Sequence, residues 1–258
     1  MSRKPPRDHV APVQRVRLRY SKRGRLRFAS HRDFQRAFER ALRRAGVPMA
    51  YSAGFSPHPK ISYANAAPTG TASEAEYLEI GLAEICDPED LRRRIDEALP
   101  PGLDIVDVVV ARTSDFADRL QASCWRIELP GLSPAEAQDP LDRLLAADEV
   151  FVERLTKNGL RTFDVRAALL MAQVAPADDE TSACAILTVV LRQVTPSVRP
   201  DDILAALRSV APSPVANGWH TPPPLVTREM QGPLVEGGSA DAIVVGDPLA
   251  ADREADQT

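Results

Sequence analysis

Arginine supplies most of the chemistry that this sequence can offer. Arg15, Arg17 and Arg19 alternate with Val16, Leu18 and Tyr20, and a few residues later Arg25 and Arg27 alternate with Leu26 and Phe28. A guanidinium group carries planar donors that match two oxygens of one phosphate, so five arginines brought to one sheet face would form an anion-binding platform. Arg32, Arg36 and Arg40, followed by Arg43 or Arg44, recur at helical spacing and make a second basic row. Either row has an ordinary alternative as a solvated face or a protein contact. A third group lies in Gly54-Phe-Ser-Pro-His-Pro-Lys. Proline restricts the backbone on both sides of His58, which pre-positions Ser56, His58 and Lys60 to donate to phosphate or another small anion. The competing reading is a rigid turn with Phe55 inserted in the core. His31 and His58 together would suit metal-independent general acid-base catalysis, although a histidine at a helix start can equally cap or pack.

Other chemistries are poorly served. Glu74, Glu76 and Glu79 are close in sequence, but alternation along a strand sends Glu76 and Glu79 to opposite faces. Cys86, Cys124 and Cys184 are odd in number and far apart, which suits neither a disulfide framework nor a clustered metal motif. They are expected to be reduced, buried small hydrophobes. No metal site and no cofactor is expected in this chain.

Charge distribution strengthens the anion reading. Residues 1–60 hold 16 of the 32 Lys and Arg against only three acids, Asp8, Asp33 and Glu39. The overall charge of −4 therefore conceals a basic head near +13 on an acidic body. A local cluster of this kind favours a polyanion, because phosphate contacts release counterions whatever the total charge is. Aromatic residues make up only 5% of the chain, which limits binding by extensive base stacking. With 44% hydrophobic and 26% charged residues the composition is that of a globular protein. There is no run of about 18 apolar residues, and no apolar segment follows Met-Ser-Arg-Lys-Pro-Pro-Arg, so neither a membrane span nor a signal peptide is expected and the cytoplasm is the expected compartment.

These residues need elements to position them. Residues 13–20 alternate as a half-buried strand, and residues 25–28 read as a short strand paired back on it after the Ser-Lys-Arg-Gly turn. Like charges facing one another across such a pair oppose pairing, and an anionic ligand is the economical reason to tolerate them. Ser30, with Asp33 three residues on, introduces a helix whose apolar stripe is Phe34, Ala37, Phe38, Ala41, Leu42 and Ala45, and Gly46 ends it. Residues 47–51 suggest the next strand, followed by a loop over 54–70, a strand carrying Tyr77, Ile80 and Leu82, a helix from Pro88, and a strand over 103–110. A weaker copy follows, with strands at 124–129, 150–155, 183–194 and 225–230 and helices at 134–147 and 200–210. Residues 163–174 read as a short helix or connector. The expected fold class is α+β, two tandem ferredoxin-like (βαββαβ) domains with antiparallel sheets, each with one sheet face left available. The expected division is a flexible N-terminus over 1–12, a basic domain over 13–115, a second domain over 121–230 and a disordered acidic tail over 231–258.

Three stretches carry a resemblance: Arg17-Leu-Arg-Tyr-Ser-Lys-Arg-Gly-Arg-Leu-Arg-Phe-Ala-Ser-His-Arg-Asp, Gly54-Phe-Ser-Pro-His-Pro-Lys-Ile-Ser and Glu76-Tyr-Leu-Glu. On these, residues 13–83 resemble the family of uncharacterised radical SAM-linked (radical SAM-associated) proteins. Looser similarity at Lys157-Asn-Gly-Leu-Arg-Thr-Phe-Asp-Val-Arg and Ser197-Val-Arg-Pro extends it to about residue 208. The resemblance implies a partner radical SAM enzyme, encoded beside or fused to such a protein, in RNA or ribosome-related metabolism. An accessory role agrees with the residues, since the three cysteines are not spaced to share one 4Fe-4S cube. The expectation is a non-catalytic accessory protein that binds RNA or another polyanion through its basic N-terminal domain, with the acidic second domain on a protein partner. The alternatives are a protein-only scaffold contacting an acidic partner, and an RNA endonuclease using His31 and His58, the latter by fold-level analogy alone.

Overall fold

Alternation in the first strand sets the frame of the N-terminal unit. In the computed structural model, which describes residues 11–53, 55–156, 159–177, 184–211, 222–236 and 243–256, strand β1 (Gln14–Lys22) buries Val16, Leu18 and Tyr20 on one face. Helix α1 (His31–Arg44) and strands β2 (Ile61–Ala64) and β3 (Ala72–Leu82) follow, then α2 (Pro88–Ala98) and β4 (Leu103–Val110). β1 is central. It pairs antiparallel with β3, Leu18 opposite Leu78, and with β4, Leu18 opposite Val108, while β2 pairs antiparallel with β3. Both helices lay their apolar stripes on this sheet: Phe34, Phe38 and Leu42 from α1 and Leu91 and Ile95 from α2 join Leu18, Leu78 and Ile80 in one core. Each such fully buried side chain contributes about 1.5–3 kcal/mol of transfer free energy.

Local signals fix the ends of α1. The Ser30 hydroxyl accepts from the Asp33 amide at 3.2 Å and donates to its carboxylate at 2.7 Å. That hydrogen bond, with Arg36 and Arg32 nearby, holds the Asp33 carboxyl below its ordinary range. At the other end Gly46 takes φ +63°, the left-handed conformation that glycine adopts without strain. Arg94 then donates to the Ala45 carbonyl at 3.1 and 2.5 Å and to that of Gly46 at 3.0 Å, and Arg44 donates to the Ala98 carbonyl of α2 at 3.3 Å. Each helix thus has its exposed carbonyl end satisfied by an arginine of the other.

Two expectations fail in this unit for identifiable reasons. Residues Gly24–Phe28 form a 3-10 turn instead of a strand, with the Leu26 amide on the Arg23 carbonyl. Both edges of β1 are already taken by β3 and β4, so no edge remains for a hairpin partner. Residues 47–51 contribute only isolated bridges, Met49 to Leu82 and Tyr51 to Pro59. Pro48 has no N–H for a ladder, and the strand forms at Ile61–Ala64 instead.

The second unit, Arg119–Asp247, is again α+β with antiparallel pairing. Its elements are β5 (Ala122–Pro130), α3 (Pro134–Ala146), β6 (Phe151–Thr156), β7 (Gly159–Asp164), β8 (Leu169–Pro176), β9 (Cys184–Arg192), α4 (Pro200–Val210), β10 (Leu225–Gly232), β11 (Leu234–Glu236) and β12 (Ile243–Val245). β5 lies between β9 and β10, and β8 pairs the far side of β9. A capping box closes the start of α3, where Ser133 and Glu136 bond each other's backbone amides. The strand expected at 150–155 exists as β6 but pairs only with β7, as a separate hairpin. The sheet position expected for it belongs to β8, within residues read as a helix or connector. The Lys157-Asn158 turn, the 1–10 part of the N-terminus and residues 237–242 and 257–258 of the tail lie outside the described residues.

After β12 the chain returns to the first unit, which comprises Met1–Asp118 and Pro248–Thr258. Helix α5 (Ala250–Asp256) contacts β4 and has Asp252 fully buried. A tail disordered from residue 231 is therefore not what the structure has: β10 ends at Gly232, β11 pairs with β12, and α5 packs on the first unit. Among the described residues no helix is long and apolar enough to cross a membrane.

Candidate anion-binding surfaces

The arginines of β1 do not form an open platform. Arg17 is only 3% exposed. Its guanidinium donates to Glu79 at 3.1 Å, to Asp252 at 2.5 Å, and to the hydroxyl and carbonyl oxygens of Thr113 at 3.1 and 2.6 Å, with the Phe116 ring 4.9 Å away. The other oxygen of Asp252 accepts from the Arg112 and Thr113 amides, both at 3.0 Å, and from the Thr113 hydroxyl at 2.6 Å. Burial opposes ionisation of Asp252, but the bonds from Thr113 and Arg17 outweigh it and hold the carboxyl below its ordinary value. Around this pair Arg253 bonds Asp107, and Arg112 bonds Asp256 at 2.7 Å. Arg15 pairs with Glu79 at 3.1 Å, and Arg19 donates to the Glu74 carbonyl at 2.8 Å.

The sheet face expected to be available is thus covered at Arg17 by α5, and its charge is met by carboxylates of the same chain. The ion pair is local to the fold: register puts Glu79 directly opposite Arg17. Sequence alternation located Arg17 on this face, and Glu79 could have been found from the same two-residue period on β3. Asp252 had no comparable signal, since it lies 235 residues away in a seven-residue helix.

The second basic row has the opposite character. Arg32, Arg36 and Arg40 are exposed on α1, and Arg25 is exposed on the 3-10 turn that precedes it. Arg27 lies over the Phe28 ring with its guanidinium carbon 4.6 Å from the centroid. Among the described residues none of these five guanidinium groups is paired with a carboxylate. The row ends at Arg43, 4.0 Å from Glu39, and at Arg44, which is used on α2.

His31 and His58 are kept apart. His31 meets the edge of the Tyr63 ring at 4.9 Å and contacts Gln35 at 3.1 Å. His58 lines a cleft of about 310 Å³ with Arg15, Ser52, Lys60, Ser62 and Glu79. Ser62 and Tyr63 are consecutive on β2 and point to opposite faces of the sheet, so the two histidines do not form the acid-base pair that the sequence allowed. Ser56 is exposed and does not line the cleft, and Phe55 is 79% exposed rather than inserted in the core. Glu76 is buried and accepts from the Ala67 amide at 3.1 Å, while Glu79 faces the arginines. Among the described residues no group of His, Cys, Asp or Glu is arranged to hold a metal ion. The three cysteines are free and half-buried, and burial with Glu229 nearby pushes the Cys124 thiol up to about 11.

The molecule is therefore an α+β protein of mostly antiparallel strands with one arginine cluster sealed inside it and another left open. The chain belongs to the family described as an uncharacterized protein conserved in bacteria, DUF2344, whose model matches residues 15–200. No curated protein matches the chain. Among solved structures, that of an unknown protein from Galdieria sulphuraria is similar, with 14% identity, 84% of this chain and 97% of that chain covered, and a TM-score of 0.24.

Proposed function

We propose that this protein is a non-catalytic accessory factor that binds RNA, or another polyanion with regularly spaced phosphates, through the arginine row of α1 and the turn before it. One observation carries the reading: Arg32, Arg36 and Arg40 stand exposed one helical turn apart, and among the described residues no carboxylate is paired with them. A buried charge already enclosed by carboxylates, as at Arg17, gains little from a phosphate, whereas an exposed guanidinium exchanges only water and counterions for it. Arg25 and Arg27 extend the row along the chain. The role first sought on β1 moves to α1.

The partner in this reading is a radical SAM enzyme, and that part rests on the family resemblance of the motif stretches. In the same reading both units are ferredoxin-like. The βαββαβ order of the first unit, with β1 between β3 and β4, supports this, and in the second unit β5 likewise lies between β9 and β10, the two strands that flank α4, with the β6–β7 hairpin added to the order. Filter binding to a structured RNA across a salt series tests the function. Binding should weaken steeply with salt, and the triple variant Arg32→Ala, Arg36→Ala, Arg40→Ala should show a shallower slope. An absence of binding at low salt, or a slope unchanged in the triple variant, would refute it. Affinity purification from native cells, identifying bound RNA and bound protein separately, tests the partner.

A further inference from the structure

The cleft beside His58 is a different kind of site from the α1 row. It lies on β1, β2 and β3, on the sheet face away from α1 and α2, and its walls are tied together by the backbone. The Ser52 amide donates to the His58 carbonyl at 2.8 Å, the Ser52 hydroxyl accepts from the His58 amide at 3.0 Å, and the Lys60 amide donates to the Ala50 carbonyl at 2.8 Å. Gly81 closes the floor: a Cβ there would sit 3.1 Å from Pro12 and 3.3 Å from the Lys60 side chain. Pro57 and Pro59 flank His58, so little freedom is lost when the imidazole engages a ligand.

We propose that this cleft binds a phosphate monoester. Three nitrogen donors of different reach line it, the guanidinium of Arg15, the ammonium of Lys60 and the imidazole of His58, together with the hydroxyls of Ser52 and Ser62. Three nitrogen donors and two hydroxyls converging from β1 and the 52–62 segment suit a group with three terminal oxygens better than the two of a carboxylate. Glu79 does not reverse the local sign, because the lining sets two cationic side chains, Arg15 and Lys60, against its one carboxylate, which Arg15 holds at 3.1 Å. The volume of about 310 Å³ is at the small end of ligand clefts and matches a small phosphorylated group. The ligand is thus a small phosphorylated molecule or the terminal phosphate of a chain. This inference does not rest on RNA binding by α1.

Calorimetric titration of the full chain with inorganic phosphate, a nucleoside 5′-monophosphate, and a short oligoribonucleotide with and without a 5′-phosphate provides the test. Saturable binding is expected for phosphate and the monophosphate, weakened at least tenfold in the double variant Arg15→Ala, Lys60→Ala and in His58→Ala. It should be unchanged in the triple α1 variant. Preference for the 5′-phosphorylated oligonucleotide over the monophosphate identifies a chain terminus as the source, and the reverse identifies a free metabolite. His58→Ala removes an exposed side chain, so its fold should persist even if the double variant fails. No saturable binding of phosphate or monophosphate at millimolar concentration, or binding unaffected by His58→Ala in a folded protein, overturns the proposal. Loss of binding in the triple α1 variant would assign it to the α1 row and overturn it equally.

Discussion

Two sets of arginines, close together in the chain, meet opposite fates. On β1, Arg17 is enclosed by Glu79, Asp252 and Thr113; on α1, Arg32, Arg36 and Arg40 face water. The side chains are chemically identical, and the difference lies in what the neighbouring strand and the returning C-terminal segment bring to them. A buried guanidinium must be paired, since desolvating it alone is costly, whereas an exposed one needs no partner and keeps its charge for a ligand. Regular spacing of arginines therefore marks a face, and only the opposing residues decide whether the face binds outward or inward.

The contrast is broken most directly at the buried pair. Asp252→Ala leaves Arg17 buried without its shortest partner and should cost about 3–5 kcal/mol, the range found when one member of a buried ion pair is removed. Urea denaturation checks this, and a loss near zero would mean that α5 does not seal the face. The triple α1 variant should leave stability within about 0.5 kcal/mol of the parent while making the logarithmic salt slope of RNA binding shallower by about 2–3, as three phosphate contacts are lost. Ser30→Ala should cost about 1 kcal/mol by removing the cap of α1, visible in the thermal midpoint. Smallest is Arg36→Ala alone, with a slope change of about 1 and no measurable change in stability.

pH sharpens the same comparison. The Asp252 carboxyl has a depressed folded-state value, so its contribution is fully present above the unfolded value of about 3.9 and is lost as the pH falls through the lower folded value. The stability difference between the parent and Asp252→Asn should therefore be constant from neutral pH down to about 4 and shrink below it, as measured by denaturation at stepped pH. Asp202 in the second unit runs the other way. Its burial outweighs the Arg199 amide and Arg154 and raises its carboxyl, so the stability it confers is present in acid and fades as the pH rises through the raised value. The bonds that Asp252 accepts from Thr113 and Arg17 outweigh its burial, whereas Asp202 has only the Arg199 amide and the nearby charges of Arg154 and Arg199 to set against its burial and the like charge of Asp201, hence the opposite signs.

Helix α1 was legible in the sequence because everything that defines it is local: Ser30, the stripe of Phe34, Phe38 and Leu42, and Gly46 lie within one stretch. The alternation of β1 was equally plain. The same alternation misled at residues 25–28, since a two-residue period says nothing about whether a pairing edge is vacant. In the second unit β8 was hidden because Leu169–Pro176 mixes Ala and Gln into its faces and only Leu169 of its eight positions is fully buried. For the candidate site, the exposed row on α1 could be read from spacing, and the Pro-clamped loop announced His58. The sealing of Arg17 could not be read, because it depends on a carboxylate from the far end of the chain.

That separation has a consequence for biosynthesis. A ribosome adding about 5–20 residues per second releases Arg17 on the order of 10–50 s before Asp252 exists, the two being 235 positions apart. The first unit to emerge is the last to be completed, and the whole intervening segment must be translated before its lid can close. Nascent chains in that interval hold Arg17 against Glu79 alone, with one carboxylate fewer than the finished fold to set against their arginines in the tRNA- and rRNA-rich surroundings in which they are made.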